Sequence, residues 1–99
     1  MSKLSAVVLV FEDEKRNYRW PREHLALLFA LSVKYPWKEV YRVVALRAPE
    51  VFAAYDREMG RALEPNPVLQ RIDKLYRYPS EFHRISSLVP AAAKKVQAW

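Results

Sequence analysis

The side chains best suited to chemistry in this sequence are its basic ones, thirteen of which fall in three stretches. Seventeen Lys and Arg stand against eleven Asp and Glu in 99 residues, for a net charge of +6. Such a surplus attracts polyanions, of which nucleic acid is the usual one, although it also suits a protein that is merely soluble. The basic stretches are Lys15, Arg16, Arg19 and Arg22; Lys38, Arg42 and Arg47; and Arg71, Lys74, Arg77, Arg84, Lys94 and Lys95. We expect them to follow a nucleic-acid backbone, or alternatively to form solvated helix faces.

Catalytic and metal-binding patterns are not evident, so we expect a protein that is not an enzyme and needs no cofactor or metal. The two histidines, His24 and His83, are far apart in the chain, and neither is paired with a carboxylate at zinc-site spacing. There is no cysteine, which excludes disulfides and thiolate metal sites. A single glycine excludes a glycine-rich phosphate loop.

Length and composition indicate one small globular domain or two very small ones packed together. Apolar residues make up 52% of the chain, but no apolar run approaches the roughly 20 residues that span a bilayer. With no signal-peptide pattern, we expect an intracellular protein, in the cytoplasm or on the nucleoid, with no membrane partner. Seven Pro, one Gly, no Cys and few Asn or Gln also suggest adaptation to heat.

The first twenty residues differ from the rest and predict a β-hairpin. Ala6–Phe11 is apolar and β-branched, Glu12–Asn17 is polar, and Tyr18–Trp20 alternates aromatic and basic side chains. These segments correspond to a strand, a turn and a short second strand. The hairpin must pack on helices or pair with another edge strand, which suggests a homodimer through the N-terminal strands.

Helical periodicity begins at Pro21 and predicts a mainly α fold after the hairpin. Prolines suit the first turn of a helix and end a preceding one, so the helices are expected to change at these residues. The predicted helices start near Pro21, Trp37, Pro49, Val68, Ser80 and Pro90. They divide into a three-helix unit over residues 21–64 and a smaller helical unit over residues 67–99.

The two units contain similar segments, which suggests a degenerate tandem repeat. Lys34–Val43 and Arg77–Ile85 both begin with a basic residue, Tyr and Pro, and both continue with Glu, apolar, aromatic and Arg positions. The alternative is two ordinary helix–proline–helix junctions.

Residues 18–59 resemble a Myb/SANT domain, a three-helix family of the homeodomain-like type. Trp20, Trp37 and Tyr55 resemble the family's spaced aromatic residues, although the first interval is shorter than usual. Tyr35 precedes the second aromatic, as in the family, and Arg47–Val51 resembles the entry into its third helix. The resemblance implies that the three aromatic side chains pack together and that the helices form a helix-turn-helix.

The third helix carries the function that this resemblance implies. In DNA-binding members it enters the major groove, and Arg57 and Arg61 stand at matching positions here. Glu50, Asp56 and Glu58 oppose such a role, because carboxylates repel phosphates. Acidic third helices in the family belong to protein binders.

The sequence thus favours a small basic nucleic-acid-binding protein, with DNA a more expected partner than RNA. Its helix-turn-helix would serve a transcriptional or chromatin factor. The alternatives are an RNA- or ribosome-associated protein, and an assembly module that uses the N-terminal hairpin. The expected nucleic-acid-binding residues are Arg57, Arg61, Arg47, Arg42, Lys38, Arg16, Arg84, Lys94 and Lys95.

Overall fold

Helices and short connections account for the structure of residues 17–99, the part of the chain that the computed structural model describes. Over this range there are six α-helices and one 3₁₀ helix. The α-helices are α1 (Arg22–Lys34), α2 (Trp37–Arg47), α3 (Pro49–Met59), α4 (Pro65–Arg77), α5 (Pro79–His83) and α6 (Val89–Val96). The 3₁₀ helix, Ser86–Leu88, leads directly into α6.

Proline marks the start of every α-helix in this range. Pro21 and Pro36 are N-caps, and the other prolines lie in the first turn of a helix. Proline is tolerated there because the missing N–H would have no intrahelical partner and the fixed φ is already helical. Gly60 ends α3 in the left-handed conformation with φ 69°, as helix C-termini often require.

The hydrophobic core is built around α1, which is buried along most of its length. Leu25, Leu28 and Leu31 are fully buried, and α1 packs most extensively against α6. Helices α2 and α4 contact each other and α1, while α3 packs on α2 and α5 on α4. Side chains from the two expected units, 21–64 and 67–99, therefore share one buried cluster.

The predicted N-terminal β-hairpin is wrong where the structure describes it. Between residues 17 and 99 all regular secondary structure is helical, and Tyr18–Trp20, the expected second strand, forms no regular secondary structure. The aromatic side chains pack on a helix instead: the Tyr18 ring lies edge-on to Trp20 at 5.2 Å and to Tyr55 of α3 at 4.9 Å. The alternation of aromatic and basic residues reflects this one-sided packing, not strand pairing.

The other parts of that prediction lie outside the described residues. They are the first strand, Ala6–Phe11, most of the turn that follows it, and the homodimer expected through the N-terminal strands. The helices of residues 17–99 are too short to cross a membrane. The longest have thirteen residues, and none is both long and apolar enough to span a bilayer.

The two segments suspected of being repeats form similar junctions and then diverge. Tyr35 and Tyr78 are both extended C-caps, because the proline that follows each disfavours helical backbone. The helix after Pro36 has eleven residues, whereas the one that starts at Pro79 has five. The similarity thus covers the junction more than the helices after it.

Candidate nucleic-acid interface

Helix α4 lies between two concave surfaces and contributes basic side chains to both. On one side is a groove of about 450 Å³, which we call the aromatic groove. It is lined by Trp37, Leu69, Gln70, Asp73, Lys74, Arg77 and Tyr78. On the other side are two adjoining hollows of about 510 and 570 Å³ that share Asn17, Tyr18, Trp20 and Arg71, and we call them together the arginine cleft. Gln70 and Lys74 line both the groove and the cleft.

A row of aromatic rings ends at Trp37, which lines the aromatic groove. Successive ring centroids are 4.9 Å apart from Phe82 to Phe29, 5.1 Å from Phe29 to Tyr76 and 5.0 Å from Tyr76 to Trp37. Tyr76 and Tyr78 remain 45% and 50% exposed, and Trp37 is half-buried. The row therefore joins the hydrophobic core to a surface on which aromatic faces reach solvent.

A hydrogen-bond chain fixes the orientation of the Tyr76 ring. The Ser32 hydroxyl donates to the Phe29 carbonyl at 2.6 Å and lies 2.7 Å from the Tyr76 hydroxyl. Since Ser32 has a single hydroxyl hydrogen, the Tyr76 hydroxyl is the donor to Ser32 Oγ. Ser32 is the buried polar residue of the core, and this chain satisfies it.

The charges along the aromatic groove are mostly positive. Lys74 is exposed, and Arg77 is paired with Asp73 at 3.2 Å, in an ion pair of which both members stay largely solvated. Lys38 follows Trp37 in the sequence and is also exposed. Because exposed ion pairs are weak, Arg77 can exchange Asp73 for another anion at little cost.

Two arginines that line the arginine cleft, Arg71 and Arg84, share the partly buried carboxylate of Glu81. Arg71 donates to Glu81 Oε1 at 2.8 Å, and Arg84 donates to Glu81 Oε2 at 3.0 Å. The hydrogen bond from Arg71 is the main cause that holds the pKa of Glu81 below its usual value, against the opposing effect of burial. Arg22 donates to the Arg84 carbonyl at 2.8 Å, which ties α1 to this network.

The surface of α3 has a different character from that of α4. Glu50, Asp56, Arg57 and Glu58 are all exposed on it, so carboxylates outnumber guanidinium groups. The Asp56 carboxylate accepts a hydrogen bond from the Leu63 backbone N–H at 3.0 Å and so holds the loop after α3. This acidic balance is unfavourable for a helix that would enter a DNA groove.

No family model, no curated protein and no solved structure matches the chain. The Myb/SANT resemblance therefore stays a prediction. Two of its three aromatic positions are in contact, since the Trp20 and Tyr55 rings lie 6.1 Å apart. The third, Trp37, is placed against Tyr76 of α4.

The predicted nucleic-acid-binding residues are spread over several surfaces. Arg42 and Arg47 are exposed on α2 with Lys38, and Arg42 pairs with Glu39 at 2.6 Å. Arg57 is exposed on α3, and Arg61 follows that helix and lines the arginine cleft. Arg84 lines the same cleft, Lys94 and Lys95 are exposed on α6, and Arg16 lies outside the described residues.

The structure adds residues that the predicted site omits. On α4, Arg71 lines the arginine cleft, Arg77 lines the aromatic groove and Lys74 lines both. Trp37 and Tyr76 form an aromatic pair beside this helix. The spacing of the three basic residues is visible in the sequence and was a usable signal. The contact between Trp37 and Tyr76 could not be predicted from the sequence, because it joins two helices that are distant along the chain.

A third hollow, of about 300 Å³, lies between α1, α3 and α6 and contains His24. The Nδ1 atom of His24 is buried and has no hydrogen-bond partner among residues 17–99. Burial lowers the pKa of His24, although Glu50 and Glu23 oppose this and Lys95 reinforces it. In residues 17–99 no three His, Asp or Glu side chains are grouped as a metal site would require.

Proposed function

We propose that this protein binds single-stranded nucleic acid across α4, with bases stacked in the aromatic groove and phosphates held by the basic side chains beside it. One observation carries the proposal: the half-buried Trp37 ring, backed by Tyr76 at 5.0 Å, lines a groove that also contains Lys74 and Arg77. Proteins that bind single strands combine such aromatic platforms with positive charge along the backbone path.

The rigidity of the aromatic row supports this role. Tyr76 is held by Ser32 and by the Phe29 ring, so a base that stacked on the Trp37–Tyr76 surface would meet side chains already in place. Less conformational entropy is then lost on binding than with freely rotating side chains. Stacking contributes about 1–3 kcal/mol per base in such sites.

The distribution of charge also supports the proposal. The first sixteen residues contain equal numbers of basic and acidic side chains: Lys3, Lys15 and Arg16 against Glu12, Asp13 and Glu14. The whole surplus of +6 thus belongs to residues 17–99. Basic groups on α4 and around the arginine cleft place part of it next to the aromatic surface, where phosphates that follow stacked bases would pass.

Single strands suit this surface better than a duplex does. Bases in a duplex are stacked on one another, so their faces are not accessible to Trp37 or Tyr76, whereas the bases of a single strand are. Single strands occur in the cytoplasm and on the nucleoid, and the proposal places the protein in one of these locations.

The test compares the affinity of one labelled oligonucleotide as a single strand and as a duplex, by fluorescence anisotropy at low and moderate salt. We expect tighter binding of the single strand, with an affinity that falls as salt rises. Trp37→Leu should weaken binding roughly fivefold to a hundredfold, because it removes the stacking face and retains apolar volume. Trp37→Phe, the matched control, keeps an aromatic face and should bind nearly as well as the unaltered chain.

Two outcomes would contradict the proposal. One is equal or tighter binding of the duplex, and the other is an unchanged affinity in the Trp37→Leu variant. Thermal unfolding of both variants establishes that any loss of binding is not a loss of fold.

A second candidate function, duplex DNA binding through α3, is favoured by the contact between Trp20 and Tyr55. This contact is one that the Myb/SANT resemblance requires. It predicts that Arg57→Ala and Arg61→Ala lower affinity for duplex DNA, while Trp37→Leu leaves it unchanged. The same anisotropy experiment therefore separates the two candidates.

A further inference from the structure

Helix α4 contributes two polar side chains without positive charge to the aromatic groove, Gln70 and Asp73. The proposed function uses neither, because it assigns the bases to Trp37 and the phosphates to basic residues. A carboxylate repels phosphates, so Asp73 is unfavourable beside a strand unless it contacts another part of that strand. The part that a carboxylate can bind is the edge of a base, where N–H groups are found.

The spacing of residues along α4 places Asp73 beside the stacking surface. Asp73 and Tyr76 are three residues apart, so their Cβ atoms lie about 5–6 Å from each other on the helix surface. Tyr76 is the ring that backs Trp37, at a centroid distance of 5.0 Å. Since Trp37 and Asp73 line the same groove, the edge of a base stacked on Trp37 comes within reach of the carboxylate.

The Asp73 carboxylate is oriented by Arg77 and can still accept further hydrogen bonds. Arg77 Nε lies 3.2 Å from one oxygen of Asp73, and the Arg77 guanidinium donates to the other oxygen at 3.4 Å. An ionised carboxylate has about four lone-pair sites, so this pair leaves acceptor capacity on both oxygens. The Asp73 side chain is 44% exposed, which makes it accessible to a ligand in the groove.

Gln70 adds a hydrogen-bond donor next to these acceptors. It precedes Asp73 by three residues, is exposed, and lines the same groove, so the two side chains are neighbours on the surface of α4. The amide group of a glutamine carries two N–H donors and turns freely when it is exposed. Together Gln70 and Asp73 present one donor followed by two acceptors to a base in the groove.

Guanine is the base whose edge complements this order of donor and acceptors. Its Watson–Crick edge carries the acceptor O6 followed by two donors, N1–H and N2–H₂. Adenine and cytosine place an unprotonated ring nitrogen where guanine has N1–H, and its lone pair would face a carboxylate oxygen. Uracil and thymine have one ring N–H, but a carbonyl oxygen flanks it on each side. Unpaired or repelling groups of this kind lower the affinity for the wrong base.

We propose that Asp73 and Gln70 select guanine among the bases that stack on Trp37. Asp73 accepts hydrogen bonds from guanine N1–H and N2–H₂, and Gln70 donates one to O6. The selection rests on the proposed function, because a base reaches these side chains only when a strand occupies the aromatic groove. It adds a base preference to a mode of binding that otherwise tolerates any sequence.

The first experiment measures the affinity of the full chain for short thymine oligonucleotides that differ only in the central base, by fluorescence anisotropy. Guanine should bind roughly fivefold to a hundredfold more tightly than adenine, a purine with a similar stacking face. Inosine, which keeps N1–H and O6 but lacks the N2 amino group, should lie between them. Equal affinities for the three, in strands whose binding Trp37→Leu still weakens, overturn the selection and leave the proposed function standing. Absence of single-strand binding overturns both.

Variants at exposed positions identify the side chains responsible. Asp73→Asn should abolish the preference for guanine over adenine without lowering the affinity for an all-thymine strand, because it removes a negative charge and one acceptor. Gln70→Leu should reduce the preference by a smaller factor. Glu58→Gln, the control, removes an exposed carboxylate from α3, outside the groove, and should leave the preference unchanged. A guanine preference that persists in Asp73→Asn, or a loss that is equal for every strand, refutes base selection by Asp73.

Discussion

Helices α3 and α4 both expose basic side chains and both border the arginine cleft, but of the two only α4 also lines the aromatic groove. Helix α3 exposes Arg57 among Glu50, Asp56 and Glu58, so its field is nearly neutral or negative. Helix α4 separates the aromatic groove from the arginine cleft and contributes Lys74 to both. The comparison teaches that the neighbours of a basic helix, more than its place in a sequence pattern, decide what it can bind.

The aromatic residues explain why the two helices differ. Tyr55 of α3 is buried against Tyr18 and Trp20, so its ring is used for packing. Tyr76 of α4 keeps 45% of its surface exposed and supports Trp37. The same residue type therefore stabilises the core on one side of the molecule and forms a surface on the other.

Matched charge reversals test the comparison most directly and have the largest expected effect. Lys74→Glu should lower affinity for a single strand by roughly 10- to 100-fold at low salt, because it removes a phosphate contact and adds repulsion. It should also lower the slope of log affinity against log salt by about one. Arg57→Glu makes the same charge change on α3 and should have little effect.

The reverse result would break the comparison. A larger loss for Arg57→Glu than for Lys74→Glu, measured by anisotropy on the same oligonucleotide, would place the binding surface on α3. That outcome would favour the helix-turn-helix hypothesis.

The sequence was informative where the determinants are local. The prolines predicted the starts of α1, α2 and α3, because the effect of proline on φ does not depend on the rest of the fold. The helix expected to start near Val68 starts earlier, with Pro65 and Pro67 in the first turn of α4, and Gly60 ends α3. A proline marks a boundary, and packing decides on which side the helix lies.

Contacts between segments that are distant along the chain could not be predicted from the sequence. The alternation in Tyr18–Trp20 fits a strand or an extended segment whose aromatic rings rest on a helix, and only the position of Tyr55 distinguishes them. Trp37 was expected to join Trp20 and Tyr55, and it packs on Tyr76. The candidate site depends on such contacts, so its basic residues were partly visible in the sequence and its concave surfaces were not.

The charge network on the α4 side should contribute more to stability than any ion pair on the molecular surface. Glu81→Gln should lower the free energy of unfolding by about 1–3 kcal/mol, because Arg71 then keeps a buried charge without its counter-ion. Glu39→Gln is the control: its pair with Arg42 is exposed and should contribute less than about 1 kcal/mol. Urea unfolding at neutral pH measures both, and equal losses would show that the Glu81 network is no stronger than a surface pair.

The ion pairs of Glu81 with Arg71 and Arg84 should also make the free energy of unfolding depend on pH in the acid range. The pKa of Glu81 is lowered in the folded chain, chiefly by the hydrogen bond from Arg71, so its stabilising effect is complete above the usual glutamate value of 4.5. It is lost as the pH falls below that value, because the unfolded chain then binds the proton more readily. Unfolding curves below pH 5 should therefore show a steeper loss of stability in the unaltered chain than in Glu81→Gln.

The smallest change in the free energy of unfolding is expected from His24, an α1 residue in the hollow that Glu50 of α3 also lines. Burial lowers its pKa below the usual 6.5, with Glu50 and Glu23 opposing and Lys95 reinforcing the shift. The unfolded chain therefore takes up a proton at higher pH than the folded one, and stability should decline as the pH falls from above 6.5 towards 5. Glu81 is still ionised over that interval, so the two sides of the molecule respond to acid in separate windows. His24→Gln should flatten the decline between pH 7 and 5 and leave the loss below pH 5 intact. A decline that persists unchanged in His24→Gln would show that His24 is not the group responsible for it.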